Sequence, residues 1–460
     1  MIIPFGALLL LIALAPLFFA DWWHRHYPKV AIALGAATVV YYIFGLHAGE
    51  RVVEVAHEYF SFIALIGSLF IVAGGIHITV KGEATPLENV LFLLFGAVIA
   101  NLVGTTGASM LLIRPWIRMN KYRVTGHHIV FFIFIVSNLG GCLTPIGDPP
   151  LFIGFLKGVP FWWVTEHCWP MWMVAIGSVL AIFFAVDYRN YLRAPKQVRA
   201  AIAEPPETWK FQGGVNVFFL LVILAAVFIE KPFFVRECLM LAAAVASYYG
   251  TKPSIHKSND FNFEPVKEVA ILFVGIFATM IPALDWLGAN ARTIAVGSPT
   301  FFYWATGSLS AFLDNAPTYY TFLIAAAGIF ISPETLDQIQ SLVASNGAHL
   351  ADFAAPIRHA FETMQATHPQ LMTGHKVDPD HLKVAYLLAN GLSARCVMAT
   401  SVGAVFFGAM TYIGNGPNFM VKSIAHHNKV HTPGFIAYLV QFAVPFLLPP
   451  LALIWLIFFR

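Results

Sequence analysis

Two acidic residues stand where acids are costly. Asp148 lies in Thr144-Pro145-Ile146-Gly147-Asp148-Pro149-Pro150, and Asp314 in Leu313-Asp314-Asn315-Ala316-Pro317, each inside a long apolar stretch. They are the only acids the pattern puts deep in such stretches. An ionisable group in a low-dielectric segment is expensive and marks an ion or proton path by default. Each is therefore a candidate cation ligand, for sodium in particular, and a candidate proton carrier. Both also fit the plainer role of helix cap. Pro145 disfavours helix at Thr144, and Asp148 before Pro149 reads as an N-cap with Pro at the first helical position. One half-helix ends there and another begins, so carbonyls that favour a cation face amides that favour an anion. Uncharged oxygens cluster nearby in sequence: Ser137, Asn138 and Thr144; Thr105, Thr106 and Ser109; Asn315, Thr318, Thr411, Asn415 and Asn418. Hard cations prefer such ligands. Taken singly, each Ser or Thr also fits a packing role, bonded to its own helix.

The elements that must position these residues follow from composition. Of 460 residues 58% are hydrophobic and 11% charged, against about 25% charged in a soluble domain, so lipid is the main solvent. Spans of about 20 apolar residues are expected near 3–20, 29–46, 59–79, 89–113, 128–156, 169–186, 213–230, 234–250, 267–287, 300–331, 396–425 and 434–459. The first lacks a basic n-region and reads as a retained helix. Polar stretches 187–212, 251–267 and 332–383 separate them. The third is acidic, is expected to carry amphipathic helices, and reads as continuing in a surface helix to Arg395.

Four segments are broken at mid-length by Gly, Pro and polar residues, and they repeat. Ile146 to Phe152 pairs with Ile413 to Phe419 without a gap, and the same register pairs Thr144 with Thr411 and Gly141 with Gly408. Gly104 to Gly107 falls opposite Asn315 to Thr318. Corresponding broken segments in two halves point to a transporter binding site. The expected fold is an all-α polytopic membrane protein of two inverted repeats, each with a re-entrant hairpin and a discontinuous transmembrane helix. The expected division is N-terminal helices 1–57, repeat one 58–187, connecting helices 188–265 and repeat two 266–460. Treating 89–113 and 300–331 as hairpins gathers Arg25, Lys29, Arg114, Arg118, Lys121, Arg123, 187–212, Lys422 and Lys429 on one face, which is cytoplasmic by the positive-inside rule. Glu50, Glu54, Glu58 and the 332–383 loop take the other.

Four scattered cysteines show no metal or disulfide spacing. Most of the 17 histidines fall in loops or at helix ends, where they read as interfacial or solvated. The pair His127-His128 is the one placed for sensing pH. No cofactor and no nucleic acid is called for; the partners are lipid and the transported ions.

The stretches NLVGTTGASMLLIRP (101–115), SNLGGCLTPIGDPPLF (137–152), FLDNAPTYYTF (312–322) and TYIGNGPNFMVK (411–422) resemble the NhaD-type sodium/proton antiporters of the ion transporter superfamily, which also holds citrate, dicarboxylate and arsenite carriers. The resemblance covers roughly residues 58–430. It implies two inverted repeats, alternating access by a moving transport unit, a homodimer, and a multi-pass protein of a bacterial-type cytoplasmic membrane. The superfamily's carboxylate carriers show Ser-Asn-Thr at both hairpin tips; here Ser137-Asn138 is followed by Leu139, and the tips read GTTG and DNAP. No Lys or Arg falls inside the apolar cores, so two tip carboxylates would repel a citrate trianion. Sodium/proton exchange is the preferred expectation, with citrate, dicarboxylate or arsenite transport as the alternative. A membrane enzyme using His and Asp on a metal would need paired ligands at helical spacing within spans, and none occurs.

Overall fold

The computed structural model describes residues 2–460 except 80–83, 122, 194–209, 230, 231, 233, 260, 295 and 373–376. Eight of the described helices are long and apolar enough to cross a membrane, so the chain is an all-helical multi-pass membrane protein.

Helices α1 (Ile3–Phe18), α2 (Ala20–Val40) and α3 (Gly49–Gly74) lead into α4 (Pro86–Met119). A straight helix of 34 residues would run about 51 Å, yet Asn89 near its start and Asn120 just past its end exchange side-chain hydrogen bonds of 2.8 and 3.0 Å. The chain has therefore doubled back. The reversal is at Gly104, which has φ +76°, a conformation that costs a residue with a Cβ but not Gly. Thr85 and Glu88 form a reciprocal capping box at the start of the first limb.

The discontinuous helix follows. Its first half is α5 (Gly126–Ile135) and its second α6 (Pro149–Leu156). Between them Thr144 and Asp148 are extended, at φ −137°, ψ 153° and φ −146°, ψ 145°. Gly141 and Gly147 meet so closely that a Cβ on Gly147 would fall on the Gly141 carbonyl. Helix α7 (Trp163–Arg193) completes the first unit, and α8 (Val215–Val227), α9 (Val235–Gly250) and α10 (Glu264–Ile294) connect to the second.

The second unit repeats the device. Helices α11 (Pro299–Ser310) and α12 (Asn315–Phe330) form a hairpin closed where Gly297 meets Phe330. After an inserted segment come α16 (Gly391–Phe407) and α17 (Gly416–His427). At their break Thr411 and Asn415 have φ −139°, ψ 168° and φ −154°, ψ 140°, matching Thr144 and Asp148. Gly414 closes on Gly408 as Gly147 does on Gly141, a Cβ there standing 2.7 Å from the Gly408 oxygen. The repeat read in the sequence is thus a repeat of backbone conformation. The chain ends in the span Phe435–Phe459.

The inserted segment holds α13 (Pro333–Ala344), α14 (Ala355–Thr367) and α15 (Pro379–Ala389). They enclose a small core of their own, centred on Ile339, Leu342, Phe361, Met364 and Leu382. One expectation is corrected here. The surface helix does not run on to Arg395: it stops at Ala389, where extended Asn390 (φ −115°, ψ 124°) turns the chain into α16. Outside the helices, His77–Thr79 pairs antiparallel with Lys210–Gln212, a short loop contact that leaves the all-α class unchanged. These loop strands satisfy each other's backbone groups where no helix can.

Replacing Gly147 with Ala is expected to destabilise the folded protein by about 1–3 kcal/mol through overpacking and to cut transport at least tenfold. A thermal shift in detergent with vesicle transport measures both. Gly416, whose Cβ would meet nothing within 4 Å, is the control position for stability.

Candidate functional site

The four broken elements converge on Asp148, which is 1% exposed. Although it occupies the N-cap position of α6, its side chain makes no cap hydrogen bond. The carboxylate turns instead to the other three elements. Thr105 of the first hairpin donates its hydroxyl to Oδ1 at 2.6 Å. Asn315 of the second donates Nδ2 to Oδ2 at 2.6 Å. Asn415, the repeat mate of Asp148, donates Nδ2 to Oδ1 at 3.0 Å. The hairpin tip is pinned further by the Thr105 amide on the Gly147 carbonyl, 2.8 Å.

A second ring of amides supports the first. Asn415 Nδ2 also reaches the Ser137 carbonyl and Asn138 Oδ1, both at 3.2 Å. Asn138 Nδ2 donates to Asn418 Oδ1 at 2.7 Å, and Asn418 Nδ2 to the carbonyls of Gly408 and Thr411 at 2.8 and 2.9 Å. Ser137 and Ser109 share a hydroxyl contact of 2.7 Å. One atom stands out: Asn315 Oδ1 is buried and has no hydrogen-bond partner. A buried carbonyl oxygen left unpaired costs about 1–3 kcal/mol and is an acceptor free to meet a ligand. Beside Asp148 a small cavity of ≈ 20 Å³ is lined by Thr105, Thr106 and Gly104 and by Leu65, Ile66 and Leu69 of α3.

The remaining expected residues lie further out. Thr144 and Thr411 serve the breaks, their hydroxyls donating to the carbonyls of Asn101 and Ala311 at 2.6 and 2.5 Å. Thr318 bonds back to the Asp314 carbonyl at 2.9 Å. Asp314 itself is half-buried and does cap a helix, accepting the Ala316 amide at 3.1 Å. It adjoins Asn315 but takes no part in the Asp148 hydrogen bonds, so the two acids have different surroundings.

Asp148 and Asp314 are not the only acids withdrawn from solvent. Glu58, Asp187, Glu237 and Asp380 are also buried, each beside a basic group at an end of the bundle. Asp187 is held by Arg123, which binds it through both terminal nitrogens, by His128 Nε2 at 3.0 Å and by Asn89 Nδ2 at 2.9 Å. His128 is fully buried rather than solvated, because it packs between Trp116 and Phe183. At the other end Lys157 sits among Glu54, Glu58 and Asp380. A trace of this was in the sequence: Lys157 is the only Lys or Arg between Arg123 and Arg189.

Two discontinuous helices and two folded-back helix pairs thus meet at one buried carboxylate, an arrangement that suits a secondary transporter. A model of the family described as "Putative citrate transport" matches residues 1–459, and the chain belongs to that family. No curated protein matches the chain.

Proposed function

We propose that the chain exchanges sodium, or the similar lithium ion, for protons across a bacterial-type cytoplasmic membrane by alternating access. The observation that carries this reading is the make-up of the site: one carboxylate, Asp148, ringed by the neutral groups of Thr105, Asn315 and Asn415, with the unpaired Oδ1 of Asn315 beside it. A hard cation takes oxygen ligands, and a buried carboxylate with no cation of the protein's own attached favours an incoming one. Protonation of Asp148 removes the charge and releases the ion. Sodium and proton then compete for one group, which yields exchange without a wire between sites.

We read both hairpins as re-entrant. The base of the first lies with Asp187 near the end of α7, while the second leads into the inserted helices that meet Lys157, just before α7 begins. Hairpins entering from opposite faces are the geometry of inverted repeats, in which rocking one unit against another exposes a central site to each side in turn. Asp314, at the second tip, is the candidate for a further ion or proton.

The family description favours a second reading, citrate transport. A citrate trianion beside Asp148 would need its charge cancelled by co-bound cations, since no Lys or Arg takes part in the Asp148 hydrogen bonds. Vesicles holding the purified protein separate the readings. Sodium or lithium added to an imposed proton gradient should collapse it, while labelled citrate should not accumulate. Citrate uptake with no response to either ion would overturn the antiport reading.

A further inference from the structure

Lys157 is the residue no part of the ion reading uses. It follows α6, the half-helix whose other end is Asp148, and it is 3% exposed. Three carboxylates enclose its ammonium: Glu58 in direct contact and Glu54 at 3.5 Å, both from α3, and Asp380 at 2.8 Å from α15 of the inserted segment. It also stands 5.1 Å from the ring centre of Tyr320 on the second hairpin. Next to it, a Cβ on Gly158 would come within 2.9 Å of the His381 ring, so α15 lies directly on the end of the half-helix. Lys383 supports the arrangement from within α15, 2.9 Å from Asp380.

These contacts belong to bodies of different kinds. Glu54 and Glu58 are on a helix outside the four broken elements, Lys157 and Tyr320 extend from two of those elements, and Asp380 is on a subdomain with its own core. Burial pushes the Asp380 carboxyl up, but Lys157 and Lys383 outweigh it and leave it below the ordinary carboxylate range. The pair thus stays charged through neutral and mildly acidic pH.

We propose that Lys157 is a positioning residue for transport: by tying the far end of α6 to α3 and to the inserted subdomain, it holds Asp148 in the arrangement seen here, and release of that tie is what lets the site open further on the Lys157 side. The idea rests on the secondary-transport reading but not on the identity of the ion. Any motion of α6 relative to α3 must break the Glu54 and Glu58 contacts, and any lifting of the subdomain must break the Asp380 contact. A buried ion pair suits such a latch, since it specifies one geometry strongly while adding little net stability.

The test follows the opening, not the substrate. Ile66 lines the cavity beside Asp148 from α3, and Cys238 is the one exposed cysteine among those described. In an Ile66→Cys/Cys238→Ser background, a membrane-impermeant maleimide is applied to vesicles of each orientation. Lys157→Met should raise labelling from the Lys157 side about threefold or more, with little change from the other, and Lys157→Arg should return it toward the starting level. Asp380→Asn, which leaves Glu54 and Glu58 on Lys157, is the milder variant should Lys157→Met fail to fold, and should shift labelling the same way. Folded variants that label equally on both sides as the parent does would overturn the proposal. Since no transported ion is added, failure here is distinct from failure of the sodium reading.

Discussion

Asp148→Asn is expected to abolish the proposed sodium-dependent proton movement in everted vesicles while the protein remains folded. Asn keeps the shape, and an amide can still accept from Thr105 and face Asn415. What it loses is the charge. A unit charge about 4 Å from a monovalent cation contributes roughly 4 kcal/mol at an effective dielectric of 20, which corresponds to roughly a thousandfold in affinity. It also loses the group that binds the proton, so residual ion binding would not be coupled. The repeat supplies a sharper form of the experiment. Asn415 has nearly the same backbone conformation as Asp148 and its Nδ2 lies 3.0 Å from the carboxylate. The double exchange Asp148→Asn/Asn415→Asp therefore returns a carboxylate to the same few ångströms. It is expected to recover exchange to within about tenfold of the parent, a loss of about 1.4 kcal/mol. Full exchange by Asp148→Asn alone would remove Asp148 from the mechanism.

The second large effect is on stability. Asp187→Ala should lower the apparent melting temperature in detergent by on the order of 5 °C or more, since deleting one member of a buried ion pair costs about 3–5 kcal/mol. The Asp187 side chain is fully buried, and its loss leaves Arg123 charged beside His127 and His128 with no carboxylate to answer it. The damage would not stay local. Asn89 donates both to Asp187 and to Asn120, and that amide pair closes the first hairpin. Loosening the base lets the tip move, and with it Thr105 and its hydrogen bond to Asp148. Transport should fall along with stability, whereas Asp148→Asn should lower transport alone. A variant lacking Asp187 that melts with the parent would show that Arg123 and the histidines find water instead.

The opposite outcomes expected at Asp148 and Asp187 reflect how the two were legible in the sequence. Asp148 announced itself through Gly and Pro on either side in a long apolar run and through its alignment with Asn415. Both signals are local and survive without coordinates. Asp187 lies at the end of a helix entering a basic stretch, where an acid reads as solvated. Only packing against Arg123 and His128 makes it a buried charge. The same holds for Lys157, whose three carboxylates come from residues 54, 58 and 380, a separation no window along the chain can span. The helix expected to run to Arg395 failed for a related reason. Nothing in the local sequence near Asn390 demands a break, yet the backbone there is extended, at φ −115° and ψ 124°.

By itself the sequence determined the solvent, the order of elements and the repeat, because each rests on local chemistry: apolar runs long enough to span, prolines that end helices, and a register without gaps. It also supplied two acids, Asp148 and Asp314, with equal claims. The tertiary structure gave them different surroundings. One caps its own helix through the Ala316 amide. The other is turned away from its helix and bound by side chains from residues 105, 315 and 415. A carboxylate's role depends on which donors reach it in three dimensions, and those donors belong to three other elements.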